Sequence, residues 1–566
     1  MTLSGQFKVS SLLVVLTIVF VVHLTGVGGA YVLDDTNVTS DDSLDELFAA
    51  GWIGNGNRAV VRGIFALQFA TLGKSAAASH LVNIVIHVIN TLLVFWVAAA
   101  ALRLAFPSWA NLKASQVALT IALLWGVHPL STAAVVYIVQ RFESVATMFF
   151  LLSLGCYLTA CSPQRSAEDE VSSNANIVWL ALCVLFGGLG YASKEITAGL
   201  PIVLLAAERT LLGGSNRSLA RRVVPWILML PIVFGAWKIA PSLTKHDDRF
   251  GTAGYDLVGI DPLAYMTSQP IVYFQYLRLT FWPTGQVLDY GWLPMTDPKW
   301  IAIGSVCWII LFGLCGYGIW KKLLFGFPLA SVLAILAPTT FIPLTDLIFE
   351  HRFYLPLAFV IGSLVTFLAT RRQLSAWSNE SLFRAALVLA VPLSVCSVLR
   401  NLDYRDETTL ARTESRRAPD NPRNLYNLFS FDESLSERSR IGLLQQAVAM
   451  SEKRGYFYPG TNYKWRRELA DRYFLRGELQ QAEKLYEQTV RESHNVLQRV
   501  EILWSLALIA ATRGDNRRAE ELFRAALKED TPIRDEIEKT YDSFKRHATA
   551  QQSMRPSRNF MLETGQ

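Results

Sequence analysis

"HLVNIVIHVINTLLV", His80–Val94, is apolar at most positions, and the run continues to Leu102 before it meets a charge at Arg103. A helix suited to lipid is the natural reading, because about 20 apolar residues cross the hydrocarbon core of a bilayer. Working outward, similar runs begin near Ser11, Gln116, Phe142, Ile177, Ile196, Val223, Trp300, Leu323, Phe353 and Phe383. With the His80 run they predict a polytopic, all-α membrane bundle of about eleven spans. Composition agrees: of 566 residues 51% are hydrophobic and 18% charged, against the quarter or so that is charged in soluble domains. Mean hydropathy is +0.28.

Composition also narrows the partners. The net charge of +6 is dispersed, partly over short loops, so a bilayer is expected as a partner and nucleic acid is not. Six cysteines, Cys156, Cys161, Cys183, Cys307, Cys315 and Cys396, fall within or at the ends of apolar runs without CxxC or Cys/His spacing. Neither a disulfide framework nor a zinc site is expected from them. The first run ends in "GVGGA", whose small residues could mark a signal cleavage site. Ser11–Val32 is long for a signal sequence and more spans follow, so it is read as a retained helix.

Lysines and arginines in short loops set orientation. Lys8, Lys113, Arg165, the group Arg217, Arg221 and Arg222, the pair Lys321–Lys322 and the pair Arg371–Arg372 occupy alternate loops, which should be cytoplasmic. The stretch "YVLDDTNVTSDDSLDELF" at Tyr31 then emerges on the outer side, with Asp34 and Asp35 adjacent and Asp41, Asp42, Asp45 and Glu46 close behind. Four more polar clusters reach the same face. They are His128 with Gln140, Arg141 and Glu143; Lys194–Glu195; Arg278, Asp289 and Tyr290; and Asp346, Glu350, His351 and Arg352.

Each cluster alone has a plain explanation. Lys194 and Glu195 could pair locally, His128–Pro129 could be a satisfied helix end, and Arg141 could snorkel to headgroups. Glu350 and Arg352 could pair structurally. Five clusters on one face point to a shared site, because charge at membrane depth is costly and usually functional. Carboxylates there can take a proton from an acceptor hydroxyl as it attacks carbon. Arginine and lysine can hold a leaving phosphate, which at a membrane surface suggests a lipid-linked donor. No GxxxxGK[ST] motif is present, which argues against ATP-driven transport.

The stretches "VLDD" at Val32, "HLVNIVIHVINTLLV" at His80, "HPLSTAAVVYIVQR" at His128, "SKEITAGLP" at Ser193, "SQPIVYFQYLRLTFWPTGQVLDY" at Ser268 and "EHRFYLPLA" at Glu350 carry a resemblance. The chain resembles the GT-C class of integral membrane glycosyltransferases. Within it, the similarity is to the transmembrane-and-TPR protein O-mannosyltransferases and their bacterial relatives, including pilin glycosyltransferases. Family members often carry Glu where Ala133 stands, so any role of that acid must be absent or supplied elsewhere, with Glu143 one option.

The resemblance implies an inverting displacement at a polyprenyl-phosphate sugar. One of Asp34 and Asp35 would be the catalytic base, with Asp35 preferred. Arg141, Lys194, Arg278 and Arg352 would bind the donor phosphate. His128, Gln140, Glu143, Glu195, Asp289, Tyr290, Glu350 and His351 would line the pocket. A divalent metal is left open, since no ligand set stands out, and no other cofactor is expected.

After Arg400 the composition turns polar in "NLDYRDETTLARTESRRAPDNPRN", read as a linker or packed extension. A membrane domain over 1–400 and a soluble domain over 401–566 are expected. "WRRELADRYFLRGELQQAEKLYEQTVRES" and "LWSLALIAATRGDNRRAEELFRAALKED" place Leu469, Ala470, Tyr473, Gly477, Ala482 and Tyr486, and then Leu506, Ala507, Ala510, Gly514, Ala519 and Phe523, at TPR-like positions. Ala482 and Ala519 stand 37 residues apart, more than the usual repeat of about 34, which a longer loop near Asn495 would explain. "IGLLQQAVAMSEKRG" reads as a degenerate preceding helix.

An odd number of spans puts this domain on the outer, periplasmic side with the site, where concave helical repeats suit a protein acceptor. The expected function is transfer of a sugar to Ser/Thr hydroxyls of an exported protein such as a pilin, at the outer face of the inner membrane. The alternatives are modification of an envelope glycan or lipid by the same fold, and a non-catalytic TPR membrane assembly factor.

Overall fold

The computed structural model describes residues 9–39, 58–161, 170–212, 223–231, 255, 257, 260–371, 379–454, 461–492, 496–529 and 531–549. Lys8, Arg165, Arg217, Arg221, Arg222 and Arg372, the acidic residues Asp41, Asp42, Asp45 and Glu46, and the loop at Asn495 lie outside them. The described elements are helical, with no β-strand among them. They form two compact units, Met1–Ala418 and Pro419–Gln566.

The first unit contains α1 (Val9–Leu24), α2 (Ala59–Leu72), α3 (Ala76–Ala105), α4 (Asn111–Gly126), α5 (Arg141–Ala160), α6 (Glu170–Tyr191) and α7 (Leu200–Thr210). It continues with α8 (Pro262–Phe281), α9 (Pro298–Trp320), α10 (Gly326–Phe341), α11 (Tyr354–Thr370), α12 (Asn379–Asp403) and α13 (Glu407–Arg417). Local chemistry sets the starts. Ser75 Oγ caps α3 by accepting the Ala78 N–H at 3.2 Å, and Asp261–Pro262 and Asp297–Pro298 each supply a capping carboxylate followed by proline at the first helical position.

Consecutive helices pack as neighbours, α3 on α4 and α5 on α6. This alternation gathers the start of α3, the end of α4, the starts of α5 and α11 and the end of α12 at one end of the bundle. Lys113, Lys321, Lys322 and Arg371 stand at helix ends of the opposite set.

Among the described residues five helices are long and apolar enough to cross a membrane: Ala76–Ala105, Ile138–Ala160, Pro298–Trp320, Glu350–Thr370 and Ser381–Asp403. A sixth is the pair Asn111–Gly126 and Pro129–Val135 taken as one span, bent by 59°. The chain is thus a multi-pass membrane protein, but the eleven expected spans are too many. Hydropathy counts apolar runs without seeing where they break. The Ser11 and Leu323 runs fold as α1 and α10, only 16 residues each. The Ile196 run first makes a 3-10 turn, Glu195–Gly199, which leaves α7 with 11 residues.

Helix α8 has another role. Tyr265 donates to the Thr339 carbonyl at 2.7 Å and Tyr273 bonds Thr340 Oγ1 at 3.0 Å. Eight residues of α8, about 12 Å of helix, therefore meet a single turn of α10, so α8 crosses the end of α10. A Cβ at Gly304 of α9 would lie 1.9 Å from the Thr267 carbonyl oxygen of α8, an approach that only glycine permits.

The boundary between the units falls after Ala418, not at Arg400 as composition suggested. Segment 401–418 stays with the first unit because Arg400 ion-pairs Glu414 at 3.1 Å and Asp403 at 3.0 Å. In the second unit α14 (Pro422–Phe431), α15 (Glu437–Arg454), α16 (Thr461–Leu475), α17 (Leu479–Glu492), α18 (Val496–Thr512), α19 (Asn516–Leu527) and α20 (Arg534–Thr549) each pack on the next. Gly477 and Gly514 turn the chain after α16 and α18 with φ of +76° and +79°, the left-handed stop that glycine takes without strain. Ala470, Ala482, Ala507 and Ala519 are fully buried where helices meet.

Candidate active site

The acidic pair sits in a 3-10 turn, Leu33–Asp35, just beyond α1. Within this tight turn the two carboxylates diverge. Asp35 is fully buried. Its Oδ2 accepts the Val32 N–H at 3.1 Å and its Oδ1 accepts the Val139 N–H at 2.7 Å. Asp34 is exposed, and its backbone N–H donates to the Tyr137 hydroxyl at 3.1 Å. Asp35 therefore ties the loop to the segment before α5, while Asp34 presents its carboxylate outward.

Burial raises the Asp35 pKa to about 7, although the Val32 and Val139 N–H groups act in the opposite sense. A carboxyl raised in the folded chain contributes stability in acid that is lost as pH climbs from the ordinary carboxylate range toward 7. The unfolding temperature of the purified protein should accordingly fall over that interval, and Asp35→Asn should flatten the dependence. An unchanged slope in the variant would show that Asp35 titrates as an ordinary surface carboxylate.

Through Val139 the loop reaches the start of α5. Arg141 is fully buried. Its Nε donates to Asn83 Oδ1 at 2.6 Å and its Nη2 to the Ser79 carbonyl at 3.0 Å. The guanidinium lies 3.8 Å over the Phe65 ring, and Nη1 has no partner. The snorkelling alternative fails, because this arginine points into the protein.

Lys194 and Glu195 do not pair with each other. Lys194 turns inward to Glu143 at 2.8 Å and to Gln140 at 3.3 Å, whereas Glu195 takes both oxygens to Arg58, at 2.9 and 3.1 Å. Asp34, Asp35, Gln140, Arg141, Glu143, Lys194 and Glu195 thus meet in one cluster.

A second cluster forms around Glu350, which accepts from Val287 N at 2.9 Å, Tyr290 OH at 2.7 Å and Gln286 Nε2 at 2.9 Å. His128 lies beside it as a satisfied helix cap. Its Nδ1 accepts from Leu130 N at 3.2 Å and its Nε2 bonds the Thr280 carbonyl at 3.0 Å. Arg352 donates to the carbonyls of Asp346 and Leu347. Arg278 bonds Gln275 and the Thr284 carbonyl, and Asp289 caps Gly291 N at 2.9 Å. His351 stacks on the Phe349 ring at 5.2 Å, within electrostatic range of Lys194, Arg58 and Arg352. Among the described residues no three His, Cys, Asp or Glu side chains form a metal-binding group.

Sequence reading passed over Tyr137, Arg58, Arg400, Glu407 and Glu414. Tyr137 lies within the quoted "HPLSTAAVVYIVQR", where an aromatic among apolar residues is inconspicuous. Arg58, Glu407 and Glu414 act through partners far away in sequence and leave no local pattern, and Arg400 pairs with Asp403 and Glu414 inside a stretch of mixed charge where no one pair stands out.

Fold and site together define an all-helical multi-pass membrane protein with an acidic loop and paired cations at one end of its bundle. No family model matches the chain, and no solved structure matches it. Curated relatives do. Protein O-mannosyl-transferase TMTC4 of Mus musculus is 25% identical over 402 residues, 62% of this chain and 52% of the relative. The Homo sapiens protein of that name is 31% identical over 119 residues, 20% of this chain and 16% of the relative. Protein O-mannosyl-transferase F38B6.6 of Caenorhabditis elegans is 27% identical over 162 residues, 26% of this chain and 22% of the relative. The resemblance read from the motifs therefore recurs in direct comparison. The chain spans about half the length of the first of these relatives and less of the others.

Proposed function

We propose that the protein is a membrane protein O-glycosyltransferase that moves a sugar, mannose by analogy with its relatives, from a polyprenyl-phosphate donor to a Ser or Thr hydroxyl of an exported protein. The observation that carries this reading is the divided acidic pair: Asp35 anchors the loop by both oxygens, and Asp34 stands exposed beside it. In this reading Asp34, and not Asp35, is the general base.

The acceptor oxygen attacks the anomeric carbon, the bond from that carbon to the phosphate oxygen breaks, and the hydroxyl proton passes to Asp34. The electron pair leaves on the polyprenyl phosphate. Inversion follows from attack opposite the leaving group. Lys194 spends two of its three ammonium donors on Glu143 and Gln140, and the third is directed to the leaving phosphate. Arg58, paired with Glu195 beside Lys194, adds charge nearby. Buried Arg141, His128, Glu350 and Arg352 serve as framework. The second unit holds the acceptor polypeptide as a TPR-like module, and the reaction takes place on the extracytoplasmic side.

Deleting the gene should remove a hexose from one or more exported proteins, read as a mass decrease on intact protein. Loss of an envelope glycan with every exported protein unchanged in mass would instead place the acceptor outside proteins.

A further inference from the structure

The loop bearing Asp34 is held by residues far away in the sequence. Leu33 adopts φ +47°, a left-handed conformation that a branched L side chain takes only under constraint. Its N–H donates to Glu407 Oε1 at 3.3 Å, across 374 positions of chain. Beside it the Ala30 N–H donates to the Arg405 carbonyl at 3.0 Å. Asn401 Nδ2 bonds the Val22 carbonyl at 3.1 Å and Thr25 Oγ1 at 2.9 Å. The Tyr404 ring lies 6.2 Å from that of Tyr137, whose hydroxyl receives the Asp34 N–H.

The same segment grips the loop of the second cluster. Glu414 Oε2 accepts the N–H groups of Leu288 at 2.5 Å and Asp289 at 3.3 Å, and Arg417 donates to the Gln286 carbonyl at 2.9 Å. Arg400, buried between Asp403 and Glu414, locks the segment to itself.

We infer that Asn401–Arg417 is a positioning strap for the active site, and that Glu407 is the positioning residue that aims Asp34. This rests on the reading of Asp34 as the base. The left-handed Leu33 sets the peptide plane that precedes Asp34. If Leu33 relaxed to negative φ, the turn would rotate and the division between an outward Asp34 and an inward Asp35 would be lost. Glu407 favours the native conformation by accepting the N–H of the strained residue.

The test compares Glu407→Ala and Glu407→Gln in the parent, in Leu33→Gly and in Asp34→Asn, using a polyprenyl-phosphate sugar and an acceptor peptide. Glu407→Ala should lower kcat about tenfold, the scale of one lost charge-assisted hydrogen bond, with the donor KM unchanged. Glu407→Gln keeps an oxygen for the Leu33 N–H and should retain most of kcat. Glycine adopts φ +47° freely, so in Leu33→Gly the Glu407→Ala loss should largely vanish. In Asp34→Asn it should add nothing.

Parent-like kcat in Glu407→Ala, or a loss undiminished in Leu33→Gly, would overturn the strap. Should Glu407→Ala fail to fold, Glu407→Gln and the Leu33→Gly/Glu407→Ala pair still decide: a large kcat loss in either overturns the proposal. Parent turnover in Asp34→Asn would overturn the assignment of the base instead.

Discussion

Asp34→Asn should lose turnover by a factor of about 10² to 10⁴, the usual worth of a general base, while its unfolding temperature and substrate KM stay near those of the parent. Asn matches Asp in size but cannot take the proton, and the exposed Asp34 side chain lies outside the packed core. The deficit then belongs to the transition state alone. Asp35→Asn should behave differently. Both oxygens of Asp35 accept backbone N–H groups, and an amide has only one oxygen. Its NH₂ must face a donor, and the orphaned N–H costs about 1–3 kcal/mol. Activity should fall together with stability. Full stability with abolished turnover in Asp35→Asn, beside a normal Asp34→Asn, would reverse the two roles.

The other large effect is expected at Lys194. The Glu143 side chain is fully buried and Lys194 only 12% exposed. Removing one member of such a pair leaves a charge without compensation, at about 3–5 kcal/mol. Lys194→Ala should therefore lower the unfolding temperature sharply. Glu143→Gln introduced with Lys194→Met removes both charges and should recover most of that loss. If Lys194 holds the donor phosphate as proposed, transfer should stay low in the double variant. Lys194→Ala as stable as the parent would show that the pair is not buried in the folded protein.

What could be read from the residues depended on the range over which each interaction acts. Apolar runs such as His80–Leu102 announce themselves locally, so the helical membrane class was legible. Span number was overstated because hydropathy does not sense that the Ser11 and Leu323 runs make helices of only 16 residues, or that the Ile196 run opens with a 3-10 turn. "VLDD" marked the acidic loop, but the different surroundings of its two carboxylates depend on the Val139 N–H, which meets Asp35 across 104 positions. His128 stayed open between a pocket residue and a satisfied helix end, because a histidine before proline shows nothing of the Leu130 N–H and Thr280 carbonyl that it bonds. For the same reason the polar stretch after Arg400 left a linker and a packed extension both open. Arg400, Glu407 and Glu414 are charged in composition but act in the fold as buried or half-buried anchors of two loops.

The most direct measurement is transfer by the purified protein in liposomes, with a labelled mannose on polyprenyl phosphate as donor and a Ser/Thr-containing exported protein as acceptor. The parent should place one hexose on a side-chain hydroxyl for each polyprenyl phosphate released, and Asp34→Asn should do so at a rate lower by about two orders of magnitude or more. Absence of transfer by the parent from any polyprenyl-phosphate sugar, or equal transfer by Asp34→Asn, would contradict the account.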